Sequence, residues 1–228
     1  MNKSLKIAVA LLATIGMAGI SGVANAGQSP SSSALAASSI SAKAPKNSSQ
    51  TFSGTGDDIV SVNTVSATVL VTMTHDGESN FSVITKTSND DYIDLLANEI
   101  GPYTGTVIQE LGTSSWMKKK LGLFEVSADG NWTIEIKPLS KAQKWNGKPL
   151  SGTGDLVVQV PKNTKPGNKL IMNHVGDSNF AVITYSSKGK YMDLKANEIG
   201  DYSGKSTFGK SGYISIQTQG DWTITKKK

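Results

Sequence analysis

The sequence predicts an all-β protein built from two tandem antiparallel β-sandwich domains. The segment 75–85 (HDGESNFSVIT) returns as segment 174–184 (HVGDSNFAVIT), 99 residues later. Trp132, Ile134 and Ile136 alternate with polar residues, and this period of two is typical of a half-buried strand. Such short runs recur at intervals of about 8–12 residues between Gly, Asn, Asp and Ser, which indicates a sandwich or barrel.

The first 26 residues have the pattern of a signal peptide. Lys3 and Lys6 give a basic start, and residues 7–20 form an uncharged apolar run too short to span a bilayer comfortably. The small residues Ala24 and Ala26 then predict cleavage before residue 27. The alternative is a buried N-terminal helix, but the order of the three segments favours export.

Residues 27–50 predict a flexible spacer, because they are rich in Ser and Ala and hold few large apolar side chains. The chain has no cysteine, which excludes disulfides, a thiol nucleophile and a thiolate metal site. An exported protein without disulfides fits a bacterial origin. We therefore expect a secreted protein. No wall-sorting motif is present, so any retention at the cell surface must be noncovalent.

The motifs divide the rest of the chain into repeat 1 (51–138), a linker (139–150) and repeat 2 (151–228). Each repeat opens with SGTGD, at residues 53 and 151. Each closes with a Gly-x-Trp-Thr-Ile strand, and these two strands are only 90 residues apart (Trp132 and Trp222). Repeat 1 therefore carries about nine additional residues between Gly105 and Phe124 (99 less 90).

Within repeat 1 the pattern predicts strands over 59–62, 68–74, 81–85, 92–97 and 104–109, followed by the hairpin that ends at Trp132. Gly130 and Gly220 are expected to supply the positive φ of a tight hairpin turn. Trp132 and Trp222 are expected in the core. Trp145, in the linker, is expected to pack at the junction of the repeats.

The formal charge of +5 falls to +3 when Lys3 and Lys6 leave with the leader. This charge is modest and dispersed, unlike the dense basic face of a nucleic-acid-binding protein. No second long apolar segment exists, so no transmembrane segment is expected in the mature chain. A weak attraction to anionic polymers remains compatible with this balance.

His75 and His174 are the only histidines and occupy equivalent positions. As a general base, each would need a nucleophile such as Ser79 or Ser178, but neighbours in one turn rarely reach the required geometry. As a metal ligand, each would need further converging ligands. A ligand-binding role is the third reading. The interpretation that the pattern favours is structural, with the ring capping the turn through a hydrogen bond.

Glu99 and Glu198 recur in the motif Ala-Asn-Glu-Ile-Gly-x-Tyr. Each carboxylate is able to bind a sugar hydroxyl or to cap a loop, and both readings stay open. Aspartates such as Asp57 and Asp155 lie in oxygen-rich loops of the kind that hold calcium in secreted sandwiches. No EF-hand spacing supports that reading, so no cofactor is predicted beyond this weak calcium signal.

The additional segment of repeat 1 carries Trp116, Lys118, Lys119 and Lys120, which have no counterpart in repeat 2. An aromatic ring on a basic loop is suited to stacking on a sugar or to lying against an anionic surface. Alternatively, the tryptophan folds back onto the sandwich. These four residues are candidates for ligand binding.

Both repeats share the motifs Gly-x-Gly-Asp, His-x-Gly-x-Ser-Asn-Phe-x-Val, Asn-x-Ile-Gly-x-Tyr-x-Gly and Gly-x-Trp-Thr-Ile. On these motifs the unit resembles a repeat of secreted and cell-surface proteins of Gram-positive bacteria. The resemblance implies a small antiparallel β-sandwich with no assigned activity, and it transfers no site residues.

The predicted function is that of a secreted, non-catalytic binding module. Two weak sites on one chain gain from avidity, whereas an enzyme gains little from a second copy. The expected partner is a cell-wall or extracellular polysaccharide, or another anionic polymer. The first alternative is a structural or adhesion protein that binds a surface protein or itself. The second is a hydrolase that uses His75 or His174.

Overall fold

The structure, a computed structural model, describes residues 49–112 and 119–228. The predicted leader, nearly all of the spacer, Trp116 and Lys118 lie outside these ranges. The described residues belong to one compact unit. Among them, no helix is both long and apolar enough to cross a membrane.

The predicted all-β class is confirmed, and every strand predicted in repeat 1 overlaps an observed one. The described part of repeat 1 forms β1 (Gln50–Thr55), β2 (Asp58–Val65), β3 (Val69–His75), β4 (Asn80–Lys86), β5 (Tyr92–Ile100), β6 (Tyr103–Gln109), β7 (Leu121–Ser127) and β8 (Asn131–Pro138).

The linker is structured, and repeat 2 follows it with eight more strands. The linker holds a 3₁₀ helix (Leu139–Lys141) and β9 (Gln143–Lys144). Repeat 2 forms β10 (Leu150–Thr153), β11 (Leu156–Gln159), β12 (Lys169–Val175), β13 (Asn179–Tyr185), β14 (Tyr191–Ile199), β15 (Tyr202–Thr207), β16 (Tyr213–Gln217) and β17 (Asp221–Lys227).

The strands form four sheets, two in each repeat, and the two repeats share one strand order. In repeat 1 the orders are β1-β8-β3-β6 and β2-β7-β4-β5. In repeat 2 the corresponding orders are β10-β17-β12-β15 and β14-β13-β16-β11, with β9 added beside β11. Pairing is antiparallel except between β9 and β11.

Each repeat encloses one apolar cluster that draws side chains from both of its sheets. In repeat 1 Met73 and Trp132 of one sheet meet Phe81 and Phe124 of the other, and Trp132 is only 1 % exposed. In repeat 2 Trp222 is equally buried, at 2 % exposure. The prediction that both tryptophans lie in the core is therefore confirmed.

A third apolar cluster joins the two repeats, and this joint was not predicted from the sequence. It packs the outer face of the β3–β6 sheet against the outer face of the β11–β16–β13 sheet, with the start of the linker between them. Its buried members are Leu70, Ile108, Leu139, Ala142, Val157, Tyr185 and Tyr213.

Comparison of equivalent positions shows that the joint is a specific interface. Leu70 and Ile108 correspond to Lys169 and Thr207 of repeat 2, which are exposed. Tyr185 corresponds to Lys86, which pairs with Glu125 at 2.5 Å. The face of repeat 1 that enters the joint is therefore more apolar than its counterpart in repeat 2. On the other face, Ile59 and Leu123 of repeat 1 keep apolar side chains at the positions of Val157 and Tyr213, and Ile59 is 66 % exposed.

Two local expectations differ from the structure. Gly130 and Gly220 do not adopt a positive φ. They are needed for close approach, because a Cβ on Gly130 would lie 2.4 Å from Gly77 N and one on Gly220 would lie 2.3 Å from His174 Nε2.

Trp145 is buried within the apolar cluster of repeat 2, beside Phe208, whereas Leu139 and Ala142 fill the junction itself.

The joint predicts the effect of Leu70→Lys. Leu70 is 2 % exposed, so an unpaired ammonium there would be buried and the joint would lose about 3 kcal/mol or more. Urea denaturation should show a lower midpoint, with repeat 1 and repeat 2 unfolding in separate transitions.

The matched control is Lys169→Leu, the reverse exchange at the equivalent exposed position of repeat 2. That variant should stay within about 0.5 kcal/mol of the parent protein. Equal effects of the two substitutions would show that the joint contributes no special stability.

Candidate functional site

The two histidines occupy the same buried position at the end of a central strand. His75 is 4 % exposed and His174 is 2 % exposed. His75 stacks on Phe81 with ring centroids 4.7 Å apart, and His174 stacks on Phe180 at 4.9 Å. Neither ring therefore offers a face to a ligand in solution.

One ring nitrogen of each histidine bonds to the carbonyl of a turn glycine. His75 Nδ1 lies 3.0 Å from Gly101 O, and His174 Nδ1 lies 2.8 Å from Gly200 O. Both glycines have positive φ, at 89° and 87°. A carbonyl only accepts, so Nδ1 must carry the proton that it donates. The bond ties the end of the central strand to the turn that joins the two sheets.

The other nitrogen meets a different group in each repeat. In repeat 2, Thr218 Oγ1 lies 2.8 Å from His174 Nε2 and also accepts a hydrogen bond from Gly220 N. In repeat 1, His75 Nε2 is 3.2 Å from Asp129 Oδ1 but makes no well-aligned hydrogen bond. Asp129 Oδ2 accepts instead from the backbone of Glu78 and Ser79.

These contacts place both histidines in structural roles, as caps of the turn. Asp76, next to His75, also stabilises the turn. Hydrogen bonds from the side chain and backbone of Asn131 lower the pKa of this exposed carboxyl.

Within the described ranges, no three His, Asp or Glu side chains are grouped so that they would hold a metal ion. The calcium reading stays a prediction.

The two equivalent glutamates lie in different surroundings. Glu198 is exposed, whereas Glu99 is half-buried beside the joint. Burial, followed by the nearby charge of Asp155, raises the pKa of Glu99 to about 7. The sequence could not reveal this difference, because the second carboxylate comes from the other repeat.

The basic segment is described only at its end. Lys119 Nζ bonds to the carbonyl oxygen of Tyr92, and Lys120 is exposed. Lys119 therefore contacts the edge strand β5. The predicted binding roles of Trp116 and Lys118 concern residues outside the described ranges and stay predictions.

A row of short, uncharged polar side chains crosses the outer face of one sheet in each repeat, and the sequence reasoning missed it. Strand register sets Ser53 beside Thr133, Thr133 beside Thr74, and Thr74 beside Thr104. We call these four residues the first polar row. Three of them are exposed, and Thr74 is half-buried.

The second polar row consists of the equivalent residues of repeat 2, which are Ser151, Thr223, Asn173 and Ser203. Ser151 Oγ and Thr223 Oγ1 are 3.0 Å apart, and Ser203 Oγ donates to Asn173 Oδ1 at 2.8 Å. A shallow surface depression is lined by Ser151, Asn173 and Thr223 of this row and extends to Thr153, Val175 and Asp221.

On one side of the rows the neighbouring outward positions differ between the repeats, whereas the rows keep short uncharged polar side chains. Thr72 corresponds to Ile171, Thr106 to Lys205, and Glu135 to Thr225. All eight positions of the two rows hold Ser, Thr or Asn. An alignment of the two repeats, read on the outward positions of each strand, was the signal that would have found these rows.

Comparison with known proteins adds no further evidence about the site. The chain matches no protein-family model, and no curated protein is similar to it. The residues of the chain itself therefore carry the functional interpretation.

The buried position of the ring predicts the effect of His174→Ala. Loss of the stacked imidazole and of its bonds to Gly200 and Thr218 should cost about 3 kcal/mol, measured by urea denaturation. The control is Glu198→Ala, an exposed change expected to stay within about 0.5 kcal/mol. An unchanged midpoint for His174→Ala would contradict the structural role.

Proposed function

We propose that the chain is an exported, non-catalytic binding protein. Its two tandem β-sandwich repeats hold a cell-envelope or extracellular polysaccharide through the two polar rows. The observation that carries the proposal is that four pairs of equivalent outward positions hold short uncharged polar side chains, beside positions on one side that differ in charge and size. Packing does not require this agreement, because these side chains point away from the core.

The chemistry of the rows suits an uncharged hydroxylated polymer. A hydroxyl group has one donor and two acceptor positions. In the Thr74–Thr133 pair, whose oxygens are 2.6 Å apart, one proton lies between the partners and the other remains to donate outward. Sugar hydroxyls also donate and accept, so each pair offers matching bonds without the cost of removing a charge from water.

The dimensions of each row suit an extended chain. Four neighbouring strands are separated by three gaps of about 4.8 Å, so a row is roughly 14 Å long. One row makes few contacts and should bind weakly by itself. Two rows on one polypeptide raise the overall affinity, because the second binding event is intramolecular.

The proposal is tested by removing hydroxyl pairs without changing side-chain shape. In a protein of residues 27–228, Thr74→Val with Thr133→Val removes both hydroxyl groups from the middle of the first polar row. Retention on insoluble cell-wall polysaccharide should fall at least tenfold, and Ser151→Ala with Thr223→Val should weaken it further. Binding isotherms measure both steps.

The matched control is Thr72→Val with Thr106→Val. It removes another hydroxyl pair, 2.9 Å apart, from the adjacent row of the same sheet. That variant should bind like the parent protein, and thermal melting should confirm that all variants are folded. Retention of all variants at the parent level would contradict the role of the rows, and no retention of the parent protein would contradict the polysaccharide as partner.

The basic segment is compared in the same assay. Trp116→Ala combined with Lys120→Ala should leave retention within about twofold if the polar rows carry the contact. A large loss in this variant, with no loss in the row variants, would move the binding site to the segment.

A second candidate function is adhesion to a protein or to another copy of the chain. Tyr92 and Ile100 on the edge strand β5 are 53 % and 67 % exposed, and the equivalent Tyr191 and Ile199 on β14 are 44 % and 78 % exposed. Exposed edge strands with apolar side chains are typical of protein contacts. Concentration-dependent self-association in sedimentation experiments, lost in Ile100→Lys with Ile199→Lys, would favour this candidate.

A further inference from the structure

The joint between the repeats contains a carboxylate that bonds to both of them. Asp155 Oδ2 accepts from the hydroxyl of Tyr103 in repeat 1 at 2.7 Å, and Oδ1 accepts from Thr218 N in repeat 2 at 2.8 Å. The backbone carbonyl of Asp155 accepts from Thr106 N of the edge strand β6 at 3.0 Å. Asp155, a residue of repeat 2, therefore accepts hydrogen bonds from two residues of repeat 1 at the joint.

The equivalent residues elsewhere in the chain lack this arrangement. Asp57 corresponds to Asp155 and keeps only the local part of the role, accepting from Ala128 N at 2.9 Å and from Ser127 Oγ at 3.0 Å. It is exposed, whereas the carboxylate of Asp155 is enclosed by the joint although the residue as a whole is only half-buried. The contact between an aspartate and a tyrosine arises only where the repeats meet.

Glu99 on β5 adds a second carboxylate to the same region, close enough to Asp155 to interact with its charge. No lysine or histidine of the described residues lies within ion-pair distance of either group. The titratable groups that face Asp155 are Glu99 of β5 and Tyr103 of β6, and His174 of β12 lies beyond Thr218. Two neighbouring acids thus share a partly dry interface without a cation.

We propose that the joint is a proton-operated latch, closed while Glu99 and Asp155 are protonated and loosened when both ionise. The apolar cluster of Leu70, Ile108, Val157, Tyr185 and Tyr213 supplies the attraction between the repeats. The two carboxylates supply the dependence on pH. Loosening frees the two repeats to move relative to each other while each keeps its own core.

The direction of the effect follows from the surroundings of the two acids. Burial outweighs the two hydrogen bonds and raises the pKa of Asp155 from 3.8 to about 6, and burial raises that of Glu99 from 4.5 to about 7. Association of the two repeats at the joint therefore takes up protons. The joint is most stable below about pH 4, and it loses this stability as the pH rises through 6 and 7. From pH 5 to 8, ionisation of Asp155 alone should weaken docking roughly tenfold.

The amide of Thr106 reports directly on the latch, because its hydrogen bond crosses the joint. Amide exchange measured by NMR on residues 27–228, referred to intrinsic rates, should show its protection falling at least tenfold between pH 5 and 8. The amide of Gly101, which bonds to Ser79 O within repeat 1, should keep its protection.

The variant Asp155→Asn with Glu99→Gln removes both charges, and its Asn side chain still bonds to Thr218 N and Tyr103. Protection of the Thr106 amide should then be the same at pH 5 and pH 8. The control Asp57→Asn with Glu198→Gln makes the same changes at the equivalent exposed positions and should keep the dependence of the parent protein.

Two results would overturn the latch. One is a parent protein whose Thr106 protection does not change with pH, and the other is a doubly substituted protein that keeps the full change. If Asp155→Asn disturbs folding, Glu99→Gln alone provides the test, because Glu99 makes none of the hydrogen bonds of the joint. That single variant should show a smaller fall than the parent protein, and an equal fall would contradict the proposal.

Discussion

The buried histidine that ends the central strand is the interaction on which each repeat depends. His75 and His174 stack on a core phenylalanine and bond to the carbonyl of a left-handed glycine, so they join the core to the turn between the sheets. The glycine of the closing hairpin must then approach the turn closely, which leaves no room for a Cβ. One polar ring thereby fixes three segments that are distant in sequence.

The second level of organisation is the contact between the repeats, which uses faces that a single repeat would leave in water. Burying Leu70 and Ile108 against Tyr185 and Tyr213 is favourable, but it brings the carboxylates of Glu99 and Asp155 into a drier environment. The free energy gained by burying apolar side chains and the free energy lost by burying the two carboxylates arise at the same interface. For that reason the stability of the joint should depend on pH.

The strands, the buried tryptophans and the structural histidines were predictable because they follow from local pattern and from the repetition itself. The joint was not, because its apolar residues stand next to core residues of the same strands, as Leu70 does between Val69 and Val71, and each face is recognisable only beside its partner. The sequence motifs also directed attention to Trp116 and the histidines, since unusual residue types stand out. The polar rows hold ordinary residues, and strand register alone brings Ser53 and Thr104 into one line with Thr74 and Thr133.

The two repeats share one strand order, so a comparison of their equivalent positions separates the constraints on this chain. Packing explains the positions that are buried and identical in both repeats, such as Trp132 and Trp222. Positions that differ, such as Leu70 and Lys169, are explained by the joint, which exists on one side of each repeat only. The polar rows belong to neither group, being alike and facing outward. Their place on the exposed face of each sheet is the reason that the proposed contact with a polysaccharide uses them.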